Sequence, residues 1–264
     1  PSMTALGDWW RNRREPFEFP DEWRRMLEAC VAPWDTLSAD ERERMEQLVL
    51  QLIVNKRWEA TAGMAITDEM KVVIAGNAAL LVLELGIEAY GKVGSILVAP
   101  HEVRVSGREF SFVPGLLTDG PVTLSGETSE RGPVMITWNS VTREARHPEH
   151  GHNVVFHEFA HKLDLLDGVV DGTPPLSDPA LVDRWVEVFT REYEAVGRGE
   201  GSPLLRAYAS VNPGEFFAVV TEVFFTRGPE LREDRADLYE LLAGFYRQDP
   251  AKRTRIVRNG LRRE

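Results

Sequence analysis

Two histidines placed four residues apart in an apolar setting constrain this chain more than any other feature of its 264 residues. They are the first and last residues of the segment His157-Glu158-Phe159-Ala160-His161, and most residues between 154 and 166 are apolar. In an α-helix, this spacing places both imidazoles on one face, about 6 Å apart along the axis. The apolar surroundings indicate a buried core helix, so we expect both side chains to be held rigidly.

Two imidazoles in this arrangement can share a metal ion, and imidazole nitrogen is a ligand that suits Zn²⁺. Glu158 follows the first histidine, where a carboxylate can take a proton from a metal-bound water. The same five-residue pattern also arises by chance, but the apolar helix, a strand candidate at 134–138 and carboxylates downstream favour the metal interpretation. The sequence therefore predicts one Zn²⁺ ion bound by His157 and His161.

A catalytic zinc site needs a third protein ligand beside its water. His152 lies five residues before His157, about 140° round a helix, and so points away from the ligand face. It shares a polar segment with His147 and His150, for which a surface loop or a substrate-facing rim is the expected role. We therefore favour a carboxylate as the third ligand.

Three carboxylates compete for that position. Asn212 and Pro213 predict the start of a helix, which puts Glu215 at the capping-box position and Glu222 on the same face two turns later. One of these two glutamates can bind the metal while the other orients a ligand, and Asp164 is the third candidate. Position along the chain leaves the choice open.

The residue pattern changes along the chain from helical to extended and back to helical. Residues 15–90 are expected to be a helical N-terminal portion, with helices beginning near residue 21, after Ser38 and after Thr67. Residues 91–264 are expected to combine a small mixed sheet with the zinc-binding helical portion, joined by a polar loop at 142–152. Strands are predicted at 96–98, 103–105, 110–113, 121–124 and 134–138, and the later helices at 154–166, 178–196, 213–226 and 235–247. A single α+β domain over residues 1–264, with the site between sheet and helices, is the simplest arrangement.

The net charge and the cysteine content exclude several kinds of partner and of structural cross-link. The formal net charge of -11 predicts repulsion from nucleic-acid backbones and anionic membranes, so we expect no direct nucleic-acid partner and no membrane. Cys30 is the only cysteine, which excludes an internal disulfide and a cysteine-based zinc cluster. Residues 1–14 lack the apolar stretch of a secretory signal. The expected location is the cytoplasm.

A family resemblance rests on four parts of the chain: the motif segment 157–164, Tyr208, the segment 212–218 and the tail 245–250. Together they resemble the Mlc titration factor A family of bacterial proteins, and the resemblance extends through most of the chain after about residue 100. The pairing of Tyr208 with 215–218 is also similar to the catalytic region of anthrax lethal factor. The fold that these resemblances imply is a zincin-like metallopeptidase domain of the gluzincin type.

The resemblance also implies roles for individual residues. Zinc would be held by His157, His161 and Glu215, which selects Glu215 over Glu222. Glu158 would act as general base, and Tyr208 would donate to the oxyanion that forms on a substrate carbonyl. A packed tyrosine is the alternative interpretation of Tyr208.

The activity implied is that of a cytoplasmic, aminopeptidase-type zinc peptidase. It would hydrolyse a peptide or protein substrate lying along the strand predicted at 134–138. The resemblance further implies a transcriptional repressor of the Mlc type as a partner, and through it a link to the regulation of sugar uptake. A rival hypothesis from another class is a repressor-sequestering binding protein in which the zinc site is secondary.

Overall fold

The architecture consists of helices around a small sheet. The computed structural model describes residues 18–101, 104–105, 108–109, 132–176 and 178–253. Its helices are α1 (Asp21–Cys30), α2 (Ala39–Asn55), α3 (Asp68–Leu81), α4 (Trp138–Arg146), α5 (Val154–Asp164), α6 (Pro179–Gly197), α7 (Pro213–Thr226), α8 (Gly228–Asp234) and α9 (Ala236–Tyr246). Its strands are β1 (Arg57–Ala60), β2 (Ser95–Ala99), β3 (Arg104–Val105), β4 (Arg108–Glu109) and β5 (Val134–Thr137). The predicted α+β class is confirmed.

The larger sheet has three parallel strands in the order β1-β2-β5. Ile96 of the central strand is aligned with Trp58 on one side and with Val134 on the other. Strands β3 and β4 form a separate antiparallel pair. Among the described strands, the expected single mixed sheet is therefore wrong, because the parallel and antiparallel pairings lie in different sheets. The strands predicted at 110–113 and 121–124 lie outside the described residues.

Strand β1 corrects the expectation that the N-terminal portion is entirely helical. Its residues Arg-Trp-Glu-Ala contain no β-branched side chain and alternate between exposed and half-buried. Strand formation here follows from pairing with β2 rather than from the local preference of these residues. The predicted capping box of Ser38 and Glu41 at the start of α2 is confirmed.

Helix α4 is a second correction, since residues 142–152 were expected to form a polar loop. The chain leaves β5 at Thr137 and enters a helix with Trp138. Only Ser140 and Val141 are buried in this helix, so its apolar face is too narrow to stand out in the sequence. The Glu144 carboxylate of α4 accepts a hydrogen bond of 2.6 Å from the backbone N–H of Val154. Helix α4 thereby contacts the start of the histidine-bearing helix.

The predicted core helix is α5, in which every residue after the first is buried. It packs against the buried helix α3, against α7 and against strand β5. Asn153 caps α5, because its side-chain oxygen accepts hydrogen bonds from the N–H groups of Val155 and Phe156. Helix α7 begins at Pro213 behind the Asn212 cap, as the sequence predicts. Two buried helices therefore lie side by side, one carrying both histidines and the other carrying Glu215 and Glu222.

Within the described ranges, no helix combines the length and the apolar character that a bilayer-spanning segment requires.

Asn153 offers a test of how α5 is anchored. Its amide nitrogen donates to the side-chain oxygen of Asn77 on α3 over 2.9 Å, while its oxygen caps α5. We expect Asn153→Ala to lower the free energy of unfolding by about 1–2 kcal/mol, measured by urea denaturation. The control Asn139→Ala removes an exposed amide that contacts His101, and should change it by less than about 0.5 kcal/mol. Equal effects in the two variants would contradict the assigned anchoring role.

Candidate metal centre

Three side-chain atoms from two helices converge in the buried space between α5 and α7. Nε2 of His157 lies 3.0 Å from Oε2 of Glu215 and 3.3 Å from Nε2 of His161. The third distance, from Nε2 of His161 to Oε2 of Glu215, is 3.6 Å. All three residues are buried, and Glu215 has an exposed fraction of 0%.

This group fits a tetrahedral metal ion. With metal–ligand bonds of about 2.0–2.1 Å, the edges of a coordination tetrahedron are about 3.3–3.4 Å. The three observed distances fall around that length. In the described part of the chain, neither oxygen of Glu215 receives an aligned hydrogen bond. A buried carboxylate is unfavourable unless a cation balances it, and either a protonated His157 or a bound metal ion supplies that charge, so the donor set suits a metal.

The electrostatics keep Glu215 in its ligating form. Burial alone would raise the pKa of Glu215, but the two facing imidazoles lower it to about 2. Burial alone would lower the pKa of His157, but Glu215 and Glu222 raise it to about 10. In the protein without metal, His157 therefore carries a proton between two carboxylates, and a metal ion entering the group has to displace it.

Glu222 contacts the other nitrogen of the His157 ring and is not part of the group formed by His157, His161 and Glu215. The Nδ1–H of His157 donates to Oε1 of Glu222 over 2.8 Å, which leaves Nε2 of the same ring facing Glu215 and His161. A carboxylate in this position fixes the tautomer and the orientation of a metal-binding imidazole. Position along the chain left Glu215, Glu222 and Asp164 open as the third ligand, and among the described residues the structure brings Glu215 together with the two histidines.

Arg206 is a residue of the site that sequence reasoning missed. Its guanidinium makes two hydrogen bonds to the Glu222 carboxylate, of 3.0 and 2.6 Å. The backbone N–H of Asn153 donates to the same carboxylate over 2.8 Å. Burial would raise the pKa of Glu222, but the hydrogen bond from His157 and the charge of Arg206 lower it. No spacing rule links residues 206 and 222, so the chain offers no signal for this pair beyond the position of Arg206 near Tyr208.

Tyr208 lies beside the group of His157, His161 and Glu215. It belongs to a 3₁₀ turn, Ala207–Ser210, that packs against α6 and α7. Its half-buried ring lies 6.1 Å from the ring of His157, centroid to centroid. The Arg206 guanidinium carbon lies 5.7 Å from the centre of the Tyr208 ring. Arg206 thus contacts both the carboxylate that orients His157 and the candidate oxyanion donor.

Glu158 lies on α5 next to His157, with an exposed fraction of only 8%. Burial, together with the nearby charges of Glu215 and Glu222, raises the pKa of Glu158 to about 8. The charges of His157 and, to a smaller extent, of Lys162 one turn further along α5 oppose that rise in the pKa. A carboxyl group with a pKa near neutrality is suited to exchanging protons in this pH range.

Asp164 and His152 lie outside the ligand group. One oxygen of Asp164 accepts a hydrogen bond of 2.9 Å from the backbone N–H of Gly172. Gly172 has a φ of 78°, and a Cβ atom there would lie 2.5 Å from the carbonyl oxygen of Pro213. Asp164 therefore helps to hold the loop after α5 against the start of α7. His152 is exposed, in agreement with the prediction that it points away from the ligand face.

A buried pair of helix-borne histidines, a glutamate oxygen within 3.6 Å of a nitrogen of each, and a neighbouring carboxyl group of raised pKa are features of a metal-dependent peptidase site. The comparison with known proteins agrees with this class, because the family model described as glucose-regulated metallo-peptidase M90 matches residues 7–247. The chain belongs to this family of metallopeptidases.

Individual relatives cover nearly the whole chain. Mlc titration factor A of Edwardsiella ictaluri is 36% identical over 242 residues, which are 89% of this chain and 90% of that protein. Mlc titration factor A of Serratia proteamaculans is 36% identical over 252 residues, or 92% of this chain and 93% of that protein. An uncharacterized Synechocystis protein is 32% identical over 248 residues, or 92% and 90%. The resemblance to the Mlc titration factor A family is confirmed.

The role of Glu222 can be tested through metal affinity. We expect Glu222→Gln to weaken Zn²⁺ binding by about 10- to 100-fold, since it removes the charge that fixes the His157 ring and pairs with Arg206. The measurement is a competition titration against a chromophoric chelator. Glu230→Gln, which changes an exposed carboxylate paired with Arg227, is the matched control and should bind as the unchanged protein does. Unchanged affinity in Glu222→Gln would show that the hydrogen bond to His157 does not support the site.

Proposed function

We propose that the protein is a zinc-dependent peptidase of aminopeptidase type, with His157, His161 and Glu215 as the three protein ligands of one zinc ion. The observation that carries this proposal is the convergence of their ligand atoms, 3.0 to 3.6 Å apart, in a buried site next to Glu158. Membership of a metallopeptidase family supports hydrolysis of peptide bonds as the reaction. A zincin-like domain of the gluzincin type, with glutamate as third ligand, is part of the proposal.

When bound, zinc lowers the pKa of an attacking water and polarises the substrate carbonyl. Glu158 accepts the proton that this water loses as its oxygen bonds to the carbonyl carbon. Glu158 then delivers the proton to the amide nitrogen, and the carbon–nitrogen bond breaks to release a free amine. Burial raises the pKa of Glu158 to about 8 in the protein without metal, and a cation bound beside it would lower that pKa, which leaves the carboxylate able to gain and lose a proton near neutral pH. Tyr208 donates a hydrogen bond to the carbonyl oxygen as it becomes negative.

The substrate is proposed to be a peptide or protein segment that lies in an extended form along β5. Among the described strands, β5 is at the edge of the parallel sheet, with β2 on its other side. An edge strand offers backbone N–H and C=O groups to an added chain, and β5 also packs against α5. The cleavable bond would then lie beside the histidine-bearing helix.

We also propose that residues 1–264 form a single domain, because helices from both portions of the chain pack together around the metal site. Helix α5 packs against α3 from the N-terminal portion and against α7 from the C-terminal portion. Near the end of the described chain, the side chain of Gln248 donates to the backbone oxygen of Leu80 on α3 over 2.8 Å. The two portions therefore share one core around the site.

A transcriptional repressor of the Mlc type is the proposed partner, in the cytoplasm, with regulation of sugar uptake as its consequence. The support is the name of the relatives, Mlc titration factor A, together with the extent of the similarity. The alternative is that capture of a repressor is the main function and that the metal site is secondary. A variant that keeps the fold and the metal but lacks the general base separates the two.

Glu158→Gln is that variant. We expect it to bind Zn²⁺ as tightly as the unchanged protein and to lose at least about 100-fold in peptide hydrolysis, because glutamine cannot accept the proton. Hydrolysis is followed with a library of amino-terminal and internally quenched peptides, and Glu187→Gln on the exposed face of α6 is the control. Full activity in Glu158→Gln would refute the assigned base. Capture of an Mlc-type repressor by this inactive variant, with relief of repression in cells, would favour the binding alternative.

Tyr208→Phe tests the oxyanion donor. Loss of one such donor typically lowers kcat by about 100- to 1000-fold, and we expect KM to change little because the phenol acts mainly in the transition state. Tyr193→Phe is a matched control, since its hydroxyl donates to the backbone oxygen of Ser210 in the same turn region. Equal kcat values for Tyr208→Phe and the unchanged protein would leave Tyr208 with a packing role only.

A further inference from the structure

A second group of metal-ligand side chains lies on the turn that joins α4 to α5. Nδ1 of His147 is 3.1 Å from Oε1 of Glu149, and Nε2 of His150 is 3.8 Å from the same oxygen. The two imidazole rings are stacked, with centroids 5.1 Å apart and an angle of 12° between their planes. All three residues are exposed, so this group is separate from the buried one.

The backbone of this turn is held in one shape. Residues Pro148–His150 form a 3₁₀ turn, with proline at its first position and Gly151 in the left-handed conformation after it. Three backbone hydrogen bonds of 3.1 Å run from the N–H groups of His147, His150 and Gly151 to the carbonyl oxygens three residues before them. The side chains therefore start from fixed positions, which lowers the entropy lost when they bind a common ligand.

We propose that His147, Glu149 and His150 form a second, solvent-facing site for a divalent transition metal such as Zn²⁺. Two imidazole nitrogens and one carboxylate oxygen are a donor set that this ion accepts, and water completes the coordination. The nitrogen–oxygen distances lie near the tetrahedral edge of about 3.3 Å, so small rotations of the side chains bring the three atoms to one ion. Because the site is exposed, its metal exchanges with solvent more readily than an ion between α5 and α7.

The segment after this turn connects the two sites. Gly151 lies against the side chain of Arg227, just beyond the end of α7. Asn153, two residues later, caps α5 and donates its backbone N–H to Glu222. The exposed site is therefore followed along the chain, within three residues of His150, by the Asn153 contacts that support His157.

The test is a titration of the full chain with Zn²⁺, followed by chelator competition and calorimetry. We expect two classes of site in the unchanged protein, one tight and one weaker. His147→Ala combined with His150→Ala should lose the weaker class and keep the tight one. His101→Ala removes an exposed histidine elsewhere and should keep both. Glu149→Gln should weaken the second class by at least about 10-fold, because a neutral amide replaces the carboxylate ligand.

The outcomes distinguish this proposal from the assignment of the buried site. In His157→Ala, the weaker class should persist although the tight class is lost. If the unchanged protein binds no Zn²⁺ tightly but has a weaker class of site that disappears in the double variant, the buried zinc site is overturned and the exposed site is supported. The exposed site is overturned if the unchanged protein binds a single equivalent that the double variant retains. It is also overturned if the weaker class persists unchanged in the double variant.

Discussion

The hydrogen bond from Nδ1 of His157 to Glu222 is the interaction on which the rest of the site depends. It turns the second nitrogen of the ring toward His161 and Glu215. Glu222 can carry out this role because Arg206 and the Asn153 backbone satisfy its buried carboxylate. A buried charge without such partners would be strongly unfavourable. The candidate metal centre is thus supported by a hydrogen-bond network that joins α5, α7 and the segment before Tyr208.

The same network also joins three helices of the core. Helix α5 carries the candidate base and two candidate ligands, and its cap, Asn153, contacts both α3 and Glu222. Two carboxyl groups of the candidate metal centre have different pKa values although they lie close together: the pKa of Glu215 is lowered to about 2, and the pKa of Glu158 is raised to about 8. One carboxylate is therefore suited to ligation and the other to proton transfer.

Sequence reasoning predicted the elements whose signals are local. The spacing of His157 and His161, the cap at Asn212 and the proline after it were sufficient for α5 and α7. It missed β1, which depends on pairing with β2, and α4, whose buried face is only two residues wide. The choice between Glu215 and Glu222 is tertiary, because both lie on one helix face, so residue properties alone left it open.

Zinc K-edge X-ray absorption on protein loaded with one equivalent of Zn²⁺ tests the central claim most directly. The account predicts two imidazole nitrogens and at least one oxygen at about 2.0–2.2 Å, with no sulfur ligand. It also predicts that His157→Ala, made in a chain that also carries His147→Ala and His150→Ala so that the exposed site cannot take up the ion, loses imidazole scattering at the same loading. A spectrum without imidazole scattering, or one that His157→Ala leaves unchanged while the tight affinity is retained, would contradict it.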